Sequence, residues 1–131
     1  MSKYWDEFKK NWLNKIEPET IDWAKKFGST LANQINGKRD TELTTSQLRK
    51  FFGEVKRQQI KGYKEDDFIL LKPKLAYAVA KKNKKEARIN EFYEVFSKIM
   101  NEVKTEKEFK NFIKILEAVV AYHTASEVVN V

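Results

Sequence analysis

The sequence predicts an all-α protein, a compact bundle of about five helices. Three observations carry this. Apolar residues recur at helical spacing along nearly the whole chain, no segment sustains two-residue alternation, and only four glycines and two prolines punctuate 131 residues. The connections are short, which favours antiparallel neighbours, and there is no internal repeat. A chain of this length buries roughly two-thirds of its unfolded surface, so it needs no metal or disulfide staple. The expectation is a single helical domain over residues 1–131, with residues 1–40 as a candidate semi-independent helical hairpin.

The elements follow in order. Trp5, Phe8, Trp12 and Ile16 fall at i, i+3, i+7 and i+11, one stripe of a first amphipathic helix. Pro18 sits where the first turn of a second helix tolerates it, since the N–H it lacks would be unpaired there. Ala24, Phe27, Leu31 and Ile35 make the second stripe, and NGKRD (residues 36–40) ends it with turn-forming residues. TTSQ (residues 44–47) reads as a capping box, Thr44 with Gln47, opening a helix that turns Leu48, Phe51, Phe52 and Val55 inward and fades near Lys61 and Gly62.

Pro73 disfavours helical geometry in the residue before it. A helix running unbroken through Lys72 would cost about 3 kcal/mol, so the next helix is expected to start at or just after Lys72 with Pro73 in its first turn. Residues 68–71 then form an apolar lead-in with a short turn of its own. Leu75, Ala78, Val79 and Lys82 take one side of this helix, and Lys74, Tyr77, Ala78 and Lys81 the neighbouring one. Asn83 suits a left-handed helix end. Ile89, Phe92, Tyr93, Phe96, Ile99, Met100 and Val103 then hold the i, i+3, i+4, i+7 pattern over four turns. Thr105 with Glu108 makes a second capping box, and Phe109, Phe112, Ile113, Leu116, Val119 and Val120 line the last helix.

Composition bounds the function. At 41% hydrophobic and 34% charged, the chain is too apolar to be disordered and too charged for a membrane protein. No apolar run approaches the roughly 20 residues that span a bilayer. The N-terminal MSKYWDEFKKNW is mixed in charge and aromatic, unlike a secretory signal. With no cysteine there is no disulfide framework, no thiolate nucleophile and no cysteine-built zinc site. A cytoplasmic protein is expected.

The net charge of +7 is unevenly spread. Basic residues outnumber acidic by 8 to 6 over residues 1–40, by 10 to 5 over 41–82, and balance at 8 each over 83–131. The excess in the middle third points to an anionic partner, nucleic acid first; a surface that is basic by drift is the alternative. On the helix from Thr44, Arg49 and Lys56 are seven apart on one flank, and Lys50 and Arg57 are seven apart on the other. On the next helix, Lys74 and Lys81 project alike two turns apart, flanked by Lys72 and Lys82. These eight cations, with Glu54 the lone acid among their faces, form an array able to track a phosphate backbone without reading bases, because each cation replaces a condensed counterion. A solvated lysine-rich face is the competing account.

Catalytic readings find little. The one histidine, His123, continues an apolar stripe at a helix end, as a packed end residue does. Glu65, Asp66 and Asp67 are consecutive and diverge around a turn, which suits a helix N-terminus better than a metal. There is no GxxxxGK[ST], GxGxxG or HExxH, and neither a metal nor a cofactor is expected. Trp5, Trp12 and Trp23 could serve as base-stacking platforms, but two lie on an apolar stripe, which favours core packing or a protein interface.

Three motifs carry a resemblance. TTSQLRKFFGEV from Thr44, FILLKPKLAYAVAKK from Phe68 and FKNFIKILEAVVAYH from Phe109, in that order, resemble the small subunit of type III-A CRISPR effector (Csm) complexes. The similarity covers residues 41–124; its most specific parts are T-x-x-Q-[IL]-R-K-[FL] and L-K-P-K-L-A-Y-A over residues 71–78. It implies a non-enzymatic, all-helical RNA-binding subunit of a ribonucleoprotein in antiviral defence, present in several copies beside the subunits that carry the guide RNA. Such a subunit helps hold the guide RNA and target RNA through their backbones, while cleavage belongs to other subunits. By position, the family's arginine after TTSQL is Arg49 and the lysines of its KPK are Lys72 and Lys74. Where the family commonly ends LAYA with glycine and arginine, this chain has Ala80 and Lys81, and lysine keeps the charge but loses the bidentate fork. No motif is recognisable before Asp40, a region expected to contact a neighbouring subunit. The rival readings are a helical protein–protein adaptor without RNA contact, a stand-alone DNA-binding regulator and a small nuclease.

Overall fold

Helix α7 (Glu106–Val129) is the element around which most of the protein is arranged: α2 (Pro18–Leu31), α3 (Thr45–Lys61) and a 3-10 turn (Lys10–Leu13) all pack on it. The remaining elements are α1 (Lys3–Glu7), α4 (Glu65–Ile69), α5 (Leu71–Lys82) and α6 (Arg88–Asn101), with α6 receiving α1, α2 and α5. These come from a computed structural model that describes residues 2–82 and 86–129. Among the described residues there is no strand, and five helices have 12 residues or more, so the all-α bundle expected from the periodicity is the fold. No helix among them is long and apolar enough to cross a membrane. Asn83, the expected left-handed helix end, lies outside the described residues.

The closest approach in the bundle is between α2 and α7. A Cβ added at Gly28 would lie 2.6 Å from the Val119 carbonyl oxygen and 3.0 Å from the His123 nitrogen, so the two backbones touch where residue 28 has no side chain. Aromatic rings spread from this seam through the core. Trp12 meets Trp23, Trp23 meets Phe27, Phe27 stacks on Phe96, and Phe96 meets Phe112, which in turn meets Phe68 of α4. Trp12 and Trp23 are thus core residues, while Trp5 is half-buried, stacked on Phe8 with the Lys98 ammonium over its ring.

Both capping boxes form. Thr44 and Gln47 exchange bonds (Gln47 N–H to Thr44 Oγ1, 3.1 Å; Thr44 N–H to Gln47 Oε1, 3.0 Å), as do Thr105 and Glu108 (3.2 and 3.1 Å). Pro18 is the first residue of α2, and the Thr20 hydroxyl accepts from the Glu17 N–H at 3.0 Å. The turn at residues 36–40 carries positive φ at Asn36, Gly37 and Asp40.

Three expectations are corrected. The stripe Trp5, Phe8, Trp12, Ile16 is not one helix: Phe8 and Lys9 are extended, and a 3-10 turn replaces the second half. Tertiary bonds outweigh the local period here. The Trp23 indole donates to the Tyr4 carbonyl at 2.8 Å, and the Tyr4 hydroxyl bonds Thr30 Oγ1 at 2.7 Å, which buries Tyr4 rather than Trp5. Ile35 lies beyond α2, because the chain turns to bring the Leu43 N–H to the Leu31 carbonyl at 2.9 Å. His123 is not at a helix end: α7 continues to Val129, and His123 is fully buried with Nε2 2.6 Å from the Leu43 carbonyl oxygen. A carbonyl only accepts, so Nε2 carries the proton in this bond.

Alanine normally favours a helix over glycine by about 1 kcal/mol. At position 28 the clash prevails, and Gly28→Ala is expected to destabilise the protein by about 1–3 kcal/mol in thermal or urea denaturation. Because α2 and α7 share the core, the full chain is expected to unfold in one transition followed by circular dichroism. A chain lacking residues 1–40 is expected to lose that cooperative transition.

Candidate nucleic-acid interface

The cationic middle third is built on α3 and α5. The Thr44 box fixes where α3 begins, and Gly62, at φ +94°, ends it. Leu48, Phe51 and Val55 are buried and so set which faces of α3 turn outward. Helix α5 begins at Leu71, one residue earlier than expected, with Pro73 as its third residue. The first four N–H groups of a helix have no intrahelical acceptor, so proline loses nothing there. Leu71 and Leu75 are buried, which leaves Lys74, Tyr77 and Lys81 exposed.

Between α3 and α5 runs an open groove of about 810 Å³. Its α3 wall carries Ser46, Gln47, Lys50 and Glu54, and its α5 wall carries Lys74, Tyr77, Lys81 and Lys82. Leu48, Phe51, Leu75 and Phe92 give it an apolar floor. Lys50, Lys81 and Lys82 have no acidic partner among the described residues.

Glu54 is the groove's internal counter-charge. Arg57 Nη1 donates to its Oε1 at 2.9 Å, and Lys74 Nζ donates to its Oε2 at 3.3 Å, linking the two walls. Partial burial pushes the Glu54 carboxyl up, but the hydrogen bonds and charges of Lys74 and Arg57 outweigh it and hold the group below its ordinary value.

The groove does not gather all eight cations expected from the sequence. Lys50, Lys74, Lys81 and Lys82 line the groove together; Arg57 joins them only through Glu54. Arg49 is exposed on α3 but does not line the groove. Lys56 is half-buried with its ammonium 5.8 Å from the Phe52 ring centroid, and Lys72 is half-buried outside the groove. Tyr77, 71% exposed on the groove wall, is a lining residue that charge counting passes over. Its signal was present: it stands three residues after Lys74 and four before Lys81, on their shared face.

Among the described residues no three histidine, cysteine or acidic side chains are grouped to hold a metal ion. Glu65, Asp66 and Asp67 are exposed in the first turn of α4, where negative charge complements the helix dipole.

The lowered Glu54 value fixes the sign of a pH effect. Its contribution to stability is present above the unfolded carboxyl value of about 4.3 and is lost as pH falls through the lower folded value. Glu54→Gln is expected to cost no more than about 1 kcal/mol at neutral pH, because the pair is partly solvated. That difference from the parent should shrink on acidification in urea titrations run at stepwise lower pH.

A family model described as Csm2 Type III-A matches residues 15–128. The match includes α2, so it reaches into residues before Asp40 where no motif was recognisable. No curated protein and no solved structure matches the chain. A family match that runs from before α2 almost to the end of α7 decides the assignment: the chain belongs to the Csm2 Type III-A family, the small subunit of the type III-A CRISPR effector (Csm) complex.

Proposed function

We propose that this subunit is a non-catalytic RNA-binding component of the effector, holding guide RNA and target RNA by their backbones on the α3–α5 face. The observation that carries this reading is the convergence of Lys50, Lys74, Lys81 and Lys82 on one groove whose single carboxylate among the described residues, Glu54, is already paired. Phosphates entering the groove meet three lysines without ion-pair partners among the described residues, and they can compete with Glu54 for Lys74. A lysine face suits backbone contact, since an ammonium is a point charge without the fork that reads a base edge. His123 supports the non-catalytic part of the reading: it is fully buried and hydrogen-bonded inside the core, with no surface open to solvent. In the complex, the other Csm subunits and further copies of this chain would be its protein partners.

A specific observation favours a protein-docking role as well. Ile60, Ile69 and Leu70 are exposed at 85%, 53% and 57%, at the end of α3 and around α4. The same region is tied together by the Gln58 carboxamide donating to the Asp67 carbonyl at 2.8 Å. If this contact surface were the whole function, assembly would be insensitive to salt and would survive ribonuclease.

Alanine at Lys50, Lys74, Lys81 and Lys82 together is expected to weaken RNA binding. The log–log salt slope should become shallower by about 0.7–0.9 for each phosphate that is no longer neutralised. Paired alanines at Arg49 and Lys56, outside the groove, should do less. Unchanged RNA affinity and unchanged complex assembly in the fourfold variant would show that the surface is wrong. Glu54→Gln releases Lys74 and Arg57, so it is expected to tighten RNA binding by up to about fivefold at low salt, the scale of one exposed ion pair. Filter binding across a salt series checks both.

A further inference from the structure

A surface that only follows a phosphate backbone needs cations and nothing else. The α3–α5 groove has more than that: an apolar floor that includes Phe51, Leu75 and Phe92, and an aromatic wall in Tyr77. Single exposed apolar residues are ordinary on protein surfaces. Tyr77 differs because its ring borders a groove while remaining 71% exposed, and it stands between two cations of the same helix face. Phosphate gains nothing from such a lining, whereas a nucleobase does: its face stacks on an aromatic ring and its body is apolar enough for the floor.

We propose that this groove seats one unpaired nucleotide of the bound RNA, its base stacked on Tyr77 and its flanking phosphates on Lys74 and Lys81. The inference rests on the RNA-binding reading above. The volume, about 810 Å³, is ample for a nucleotide. The groove also holds a spare polar group for a base edge. Gln47 Oε1 is occupied by the Thr44 N–H and hydroxyl at 3.0 and 3.1 Å, which leaves its Nε2 to donate. Charge decides between RNA and a protein segment as occupant. Among the described residues the lining carries four lysines and one carboxylate, and that carboxylate already has two partners. Stacking is tolerant of sequence because every base has a π-face, so the seat would select single-stranded over paired RNA rather than one base over another.

The test uses the full chain with two probes, a short single-stranded oligouridylate and a blunt RNA duplex of equal length, with affinities measured by fluorescence anisotropy at fixed salt. Tyr77→Ala is expected to weaken oligouridylate binding roughly 5- to 100-fold and to leave duplex binding unchanged. Tyr77→Phe, which keeps the ring, should bind both probes as the parent does. Because Tyr77 is exposed, the alanine variant should keep the parent's circular dichroism. The proposal is overturned if Tyr77→Ala binds oligouridylate like the parent, or loses both probes equally. It is overturned too if the variant changes only self-association in sedimentation, which would assign the ring to a contact between copies. The fourfold lysine variant separates the two readings. If it loses RNA while Tyr77→Ala does not, the base seat falls and the cationic face stands; if it retains RNA, both fall.

Discussion

The backbone contact between α2 and α7 at Gly28 sets the position of much that follows it in the chain. With the two helices this close, the end of α2 places the Leu31 carbonyl where the Leu43 N–H reaches it, and α7 places His123 where it binds the Leu43 carbonyl. Leu43 is thereby held from both sides, one residue before the Thr44 cap that starts α3. The Thr45 hydroxyl, donating to Glu127 of α7, ties the same point again. The placement of Lys50, five residues into the helix from that point, is therefore inherited from a seam that contains no cation of the groove.

This dependence gives physical sense to the span of the family match. Residues 15–40 carry no motif that points to RNA, yet they fall within the matched region. Their part is architectural: Trp23, Ala24, Phe27 and Leu31 are buried, and Gly28 permits the approach to α7. Such a role is written in size and apolarity rather than in a string of distinctive residues, which is why it was hard to see in the sequence.

What was legible followed the range of the interactions involved. The two capping boxes and the prolines act within four residues of themselves, so spacing alone located the starts of α2, α3, α5 and α7 to within a residue or so. The N-terminal stripe failed because the extended break at Phe8 and Lys9 has neither proline nor glycine to announce it; its cause is the docking of Tyr4 onto Trp23 and Thr30. Seven-residue spacing put Lys74 and Lys81 on one face of their helix, and both line the groove, but the same rule could not say which flank of α3 faces α5. Nor could it show that Glu54 bridges the walls, since Lys74 lies twenty residues away in sequence.

The two walls of the groove are anchored very differently. Helix α3 is pinned at its start by Leu43 and Glu127 and buries Leu48, Phe51 and Val55, whereas α5 fully buries only Leu71 and Leu75. Elements that bury little apolar surface have the lowest free energy of local opening. Of the two walls, that is the one carrying Lys74, Tyr77 and Lys81. Helix α5 packs chiefly on α3, α4 and α6, so that wall is set by contacts other than those of the α2–α7 seam.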